Sequence, residues 1–164
     1  MEPAEVREQD LGLLRRALGV STVSPDPTTK VGAVLANTEG IVIATGFNRF
    51  PRGITPDARL NDRPLKNEMV IHAEPNVILQ GLELISKVGM YFCTLYITTL
   101  PCARCTGIIL DANIGSVVCL EPTAEFLTRW KDSVELSRSL FEEAGVQLKE
   151  YSLEELDRDG KEQI

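Results

Sequence analysis

Hydrophobic positions recur at helical spacing over residues 4–19, where Val6, Leu11, Leu14 and Leu18 share one side, and predict an amphipathic helix. A polar, proline-bearing stretch at 21–27 reads as a loop. Two short apolar runs follow at 31–35 and 41–45, joined by Asn37-Thr38-Glu39-Gly40, which predicts a hairpin. Residues 47–69 lose all periodicity and hold three prolines and a glycine, so they read as a long loop. Helical spacing returns at 73–86, with Pro75 in the first turn, where a missing N–H costs nothing. A β-branched and aromatic run predicts a strand at 90–98, and a helix follows at 102–112. A strand is expected at 115–120, a long helix at 125–144 stopped by Gly145, and a last strand at 146–151. Residues 152–164 are charged, and from Glu154 onward they read as a frayed tail.

The resulting order is α-β-β-α-β-α-β-α-β. Strands alternating with crossover helices predict an α/β fold with a mixed five-stranded sheet covered on both faces, a three-layer α/β/α arrangement. Residues 1–151 are expected to form one domain, with the loop at about 49–70 as an insertion. The helices starting near residues 73 and 102 would begin at one sheet edge, which brings His72 to Cys102 and Cys105.

Composition narrows the function. A chain of 164 residues with 43% apolar positions suits one core. The net charge of −7 argues against broad binding to a nucleic-acid backbone, where cations must replace counterions. No run is long enough to span a membrane. The acidic start lacks the apolar segment of a signal peptide, so the cytoplasm is the expected location. Cations are nevertheless concentrated in one place. Arg49, Arg52, Arg59, Arg63 and Lys66 fall within eighteen residues that contain two acids, Asp57 and Asp62. A local basic loop on an acidic body suits a small phosphorylated ligand better than a polymer.

The chemistry lies in His72-Ala73-Glu74 and Pro101-Cys102-Ala103-Arg104-Cys105. Zinc takes imidazole and thiolate ligands tetrahedrally, and a catalytic site keeps one of the four positions for water. Cys102 and Cys105 are three apart, so both sulfurs can face one point from a first helical turn. His72, the single histidine, supplies the third ligand. Glu74 lies two residues beyond it and can move a proton without binding the metal. H-x-E followed by P-C-x-x-C is the pattern of zinc nucleobase deaminases. A closed structural site would need Cys93 or Cys119, and both sit inside apolar runs. A redox role for the cysteine pair would leave His72 and Glu74 unexplained.

The chain resembles the cytidine deaminase superfamily from about Pro25 to Leu148. The resemblance rests on Asp26 to Ala33, Gly46 to Gly53, His72 to Ile78, Pro101 to Cys105, and Leu140 to Val146. The G-x-N-x-x-P-R-G stretch and the long insertion before His72 are similar to the deoxycytidylate branch. That resemblance implies Zn2+ on His72, Cys102 and Cys105, with Glu74 as proton shuttle. It implies Asn48 at the sugar hydroxyl, backbone groups of Ala73 at the base, and Leu100 and Pro101 beside the base. Ser24, Thr29, Lys30 and Arg52 would lie near the phosphate.

The implied reaction is hydrolysis of dCMP to dUMP and ammonia, with metal-activated water attacking C4. Family members are commonly dimers or hexamers, and some respond to dCTP and dTTP, so a homo-oligomer with those effectors is implied. Two residues depart from the pattern. Arg49 stands where glycine is usual, and Leu100 where an aromatic residue often precedes Pro-Cys. The second departure would open the pocket to a 5-modified dCMP. A free nucleoside or guanine is an alternative substrate. A tRNA or single-stranded DNA editor fits the acidic charge poorly. A zinc protein without activity would have no use for Glu74.

Overall fold

The three central strands are buried on both faces, and this decides the architecture. In β1 (Gly32–Asn37), Ala33 and Leu35 point to one side and Val34 and Ala36 to the other, all fully buried. β3 (Cys93–Ile97) and β4 (Ser116–Leu120) alternate in the same way. Strands like these need a layer on each side. The computed structural model, which describes residues 3–159, provides both. One layer is α1 (Pro3–Ser21) with α7 (Leu153–Asp159), packed on Val34, Ala36, Tyr96, Val118 and Leu120. The other holds α3 (Ala73–Leu84), α5 (Ala103–Asp111) and α6 (Ala124–Ala144), packed on Ala33, Leu35, Leu95, Ile97, Val117 and Cys119.

With β2 (Val42–Phe47) and β5 (Gln147–Tyr151), the sheet order is β2-β1-β3-β4-β5. β1 pairs antiparallel with both β2 and β3, whereas β3-β4 and β4-β5 are parallel. The mixed five-stranded, three-layer fold expected from the sequence is therefore present. The hairpin turn is built as anticipated. Asn37 Oδ1 accepts from the N–H groups of Glu39 and Ile41, and Gly40 takes a left-handed φ of 78°.

Three segments differ from expectation. The loop read over residues 47–69 contains a 3₁₀ turn at Ala58–Asn61 and the helix α2 (Arg63–Met69). α2 buries only Lys66, so it leaves no apolar periodicity to detect. Its start was nonetheless written in the chain: Asp62 accepts from Leu65 N–H, and Pro64 sits in the first turn. α3 stops at Leu84, and a separate turn, α4 (Lys87–Met90), capped by Ser86, precedes a strand shorter than predicted. The tail is the third difference. Ser152 and Glu155 form a capping box, with Glu155 N–H donating to Ser152 Oγ and Ser152 N–H to Glu155 Oε2. α7 follows and buries Leu156 against α1, where Arg15 donates to the Leu156 carbonyl at 2.6 Å. The tail is thus docked through residue 159, and residues 160–164 lie outside the described part.

Gly46 on β2 sets how closely α3 approaches the sheet. A Cβ there would lie 2.7 Å from Val77 N and 3.0 Å from the Ala73 carbonyl oxygen. Neither is the end of a flexible side chain, so α3 would have to move. Gly46→Ala is expected to cost about 2 kcal/mol, typical of overpacking, and to lower the thermal midpoint by roughly 4–8 °C. A melt within 1–2 °C of the parent would show that α3 does not rest on this contact.

Candidate active site

Two helix starts supply the ligands. His72 is the N-cap of α3 (φ −64°, ψ 164°), and Cys102 is the N-cap of α5 (φ −70°, ψ 161°). N-caps are usually Ser, Thr, Asp or Asn, whose oxygen accepts a backbone N–H. Neither His72 nor Cys102 caps its helix, so both side chains are left for another partner. Cys105 lies in the first turn of α5 and is buried. His72 Nδ1 is 3.8 Å from Cys102 Sγ and 3.4 Å from Cys105 Sγ, and the three ligand atoms lie within 4.8 Å of one another.

This donor set fits zinc. Tetrahedral bonds of about 2.3 Å to sulfur and 2.05 Å to nitrogen place N and S about 3.6 Å apart. The two observed distances bracket that value. The thiols are already prepared for a cation. A hydrogen bond between them is the largest influence on each, holding Cys102 down, to about 4, and pushing Cys105 up. Metal binding requires both sulfurs to give up their protons. Among the described residues no other His, Cys, Asp or Glu joins the cluster. Cys93 and Cys119 are buried within the core, as expected. Three protein ligands leave a fourth position open, the arrangement of a catalytic rather than a structural zinc site.

Glu74 is 3% exposed and lines the same cavity as His72 and Cys102. Burial is the largest influence on its carboxyl and pushes it above the usual range, against the pull of His72. A carboxyl raised in this way is a better proton acceptor than an ordinary glutamate, as suits an acid–base group.

The cavity measures about 270 Å³, the size of a single small ligand. Of the residues expected at the substrate, Asn48, Ala73, Thr29 and Leu100 line it. Asn48 does more than face the cavity. Its Oδ1 accepts Val31 N–H at 2.8 Å and its Nδ2 donates to the Thr29 carbonyl at 2.7 Å, so it fixes the wall beside it. Pro101 is buried next to Cys102. The other three predicted contacts lie elsewhere. Ser24 is buried and donates to the Asn48 carbonyl. The Lys30 ammonium donates to the Ser24 carbonyl. Arg52 is exposed and lines a separate hollow with Phe47, Phe50 and Ile54.

Cations reach the cavity from two elements instead. α2 brings Arg63, Lys66 and Asn67, and α6 brings Arg129 with Phe126 and Trp130. The Phe126 and Trp130 rings stack at 6.2 Å. Lys66 is committed to a buried pair with Asp26 at 3.1 Å and also donates to Thr28 Oγ1 at 2.9 Å. Arg129 contacts Glu125, which is 84% exposed, a weak and screened partner. Arg63 belongs to the basic run noted in the sequence, but its helix could not be seen there. Nothing in the sequence separates Arg129 and Trp130 from an ordinary solvated helix face.

The pattern of the cytidine and deoxycytidylate deaminase zinc-binding region matches residues 7–121. An uncharacterized deaminase from the luxG 3′ region of Aliivibrio fischeri is 36% identical over 129 residues, covering 79% of this chain and 84% of that protein. Mouse deoxycytidylate deaminase is 29% identical over 137 residues, covering 79% and 71%. Among solved structures, the dCMP deaminase of cyanophage S-TIM5, in complex with dCMP and dUMP, superposes with a TM-score of 0.70 at 26% identity. The match covers 92% of this chain and 99% of that one. No helix of the described residues is long and apolar enough to cross a membrane. The matched pattern covers most of the chain and includes every residue of the three-ligand site, so the chain belongs to the zinc-dependent cytidine and deoxycytidylate deaminase family.

Proposed function

We propose that this protein hydrolyses dCMP to dUMP and ammonia. One observation carries the reading: the cavity lined by His72, Cys102 and Glu74 is also lined by Arg63 and Arg129. A free base or nucleoside has no use for two guanidinium groups, whereas a monophosphate does. Likeness to the deoxycytidylate deaminases supports the same substrate.

Zinc on His72, Cys102 and Cys105 would supply water acidic enough to ionise near pH 7. The chain's own residues do the rest. Glu74 takes the proton of the attacking water and gives it to N3 of the cytosine ring. Glu74 then takes the proton of the new C4 hydroxyl and passes it to the amino group, and as the C4–N bond breaks and C4 gains a double bond to oxygen, ammonia leaves. Backbone groups of Ala73 hold the base, with Leu100 and Pro101 against it. Asn48 presents its remaining amide hydrogen and lone pair to the sugar. Thr29 lies in the wall with Arg63 and Arg129, which hold the phosphate. Positioning through that remote handle is what orients C4 for attack. The same reading carries a homo-oligomer, supported by apolar side chains left exposed on the second layer, among them Leu79 and Leu82 of α3 and Ile108 of α5.

Ammonia release by the zinc-loaded protein tests the substrate. The panel is dCMP, 5-methyl-dCMP, deoxycytidine, guanine and a short cytosine-containing DNA strand. Turnover of dCMP well above deoxycytidine is expected, and equal rates on the two would overturn the reading. Faster turnover of 5-methyl-dCMP would assign Leu100 to a widened base pocket. Arg63→Ala and Arg129→Ala should each raise KM for dCMP roughly ten- to hundredfold, the worth of a charged hydrogen bond. KM for deoxycytidine should stay unchanged. Equal effects on both substrates would remove the arginines from the phosphate.

A further inference from the structure

The metal ligands differ in how they are held. Cys105 is fixed by its place inside α5, but Cys102 stands outside the helix in extended backbone. Its side-chain direction depends on the two peptide groups that flank it. Both are gripped from α6. Ser133 Oγ accepts the N–H of Ala103 at 3.0 Å, taking the place of the missing cap. Ser137 Oγ donates to the carbonyl of Pro101 at 2.7 Å.

The hydrogen atoms can be counted. Thr106 Oγ1 contacts both Ser137 Oγ and the Cys102 carbonyl, which already receives Thr106 N–H at 2.9 Å. Each hydroxyl has one hydrogen and faces a backbone carbonyl: Thr106 faces that of Cys102 at 3.1 Å, and Ser137 that of Pro101. Thr106 and Ser137, in contact with each other, thus tie the carbonyls on either side of the Cys102 Cα to α5 and α6. Thr106 and Ser137 are both fully buried, and an unmatched hydroxyl there would be costly. Fixing the peptide groups on both sides of Cys102 fixes its φ and ψ, and with them the direction of its Cα–Cβ bond, from which the sulfur reaches the metal.

We propose that Ser133 and Ser137 are positioning residues of the zinc centre, holding Cys102 at the metal without touching it. The inference rests on reading His72, Cys102 and Cys105 as the metal site. Groups that orient a ligand in this way typically change metal affinity by about 10–100-fold when removed.

The test is zinc affinity by chelator competition, together with the absorption of the cobalt-substituted protein. Ser133→Ala and Ser137→Ala should each weaken zinc at least about tenfold and shift the thiolate-to-cobalt band, and Ser133→Thr should restore both. Val134→Ala is the control. Val134 is 1% exposed on the same helix and belongs to the apolar core. This variant should lower the melting point of the metal-free protein and leave zinc affinity within about twofold. Ser133 is only half-buried, so its alanine variant carries the test if Ser137→Ala does not fold. Folded serine variants that bind zinc as tightly as the parent would overturn the proposal. So would a Val134→Ala variant that weakens zinc equally. A parent that takes up no zinc would overturn the metal reading itself, and the proposal with it.

Discussion

Glu74→Gln should lower turnover by roughly 10²–10⁴, the usual worth of a positioned acid–base group, while leaving the bound zinc in place. Glutamine has nearly the same volume as glutamate and can still form hydrogen bonds, but it cannot shuttle a proton. The pocket already favours a neutral group at this position, because burial pushes the Glu74 carboxyl up. Folding should therefore not suffer, and the thermal midpoint of the metal-free variant should equal or exceed that of the parent. Zinc content, kcat and the melting curve together separate the outcomes. Unchanged turnover would remove Glu74 from the mechanism. Lost turnover with lost zinc would mean that Glu74 supports the metal rather than the proton transfer.

Replacing Lys66 by Met should destabilise the protein by about 3 kcal/mol, the lower end of the range for stranding one partner of a buried pair. The Asp26 side chain is 4% exposed and that of Lys66 is 9% exposed. The lower end applies because Asp26 would keep the N–H groups of Thr28 and Thr29. Burial alone would raise the Asp26 carboxyl. Those N–H groups and the Lys66 ammonium outweigh it and hold the carboxyl below its ordinary 3.8. A carboxyl lowered in the folded state adds stability that is full above the unfolded value and is lost as the pH falls through the folded one. The parent should therefore lose this contribution only below about pH 4, and Lys66→Met should move acid unfolding to higher pH. Adding Asp26→Asn to the variant should recover part of the loss, since the stranded charge is gone. Urea titrations of the parent, Lys66→Met, Asp26→Asn and the double variant at neutral pH would measure the coupling, and additive losses would show that the pair is not coupled. The pair also ties α2, which carries Arg63 to the cavity, to the turn at residues 26–29. KM for dCMP should rise in the same variant.

How legible each part of the molecule was depends on what burial leaves behind in the chain. The sheet and the helices α1, α3, α5 and α6 repeat apolar positions at their own periods, so they could be read directly. The ligands and Glu74 could be read because zinc chemistry admits few residue types at few spacings. α2 and α7 could not be read by periodicity, because each buries about one side chain, Lys66 or Leu156. Their caps, Asp62 with Pro64 and Ser152 with Glu155, were the only written signals. Which cations line the cavity depended on which members of the basic run turn inward. That choice is made by α2 and by the Asp26–Lys66 pair, both tertiary facts. Lys30 and Arg52 have the right charge, but neither reaches the cavity wall.

The sheet is also a bulkhead. All of the catalytic chemistry lies on the α3, α5 and α6 side. The compartment behind it holds α1, α7 and a buried carboxylate, Asp10, which accepts from Tyr96, Tyr151 and Lys149 at 3.0–3.1 Å. Among the described residues, none of α1 or α7 lines the cavity. Damage there should reduce how many molecules are folded without altering what each folded molecule does. The rear layer is accordingly the place to engineer heat resistance, with specific activity per folded molecule carried over unchanged.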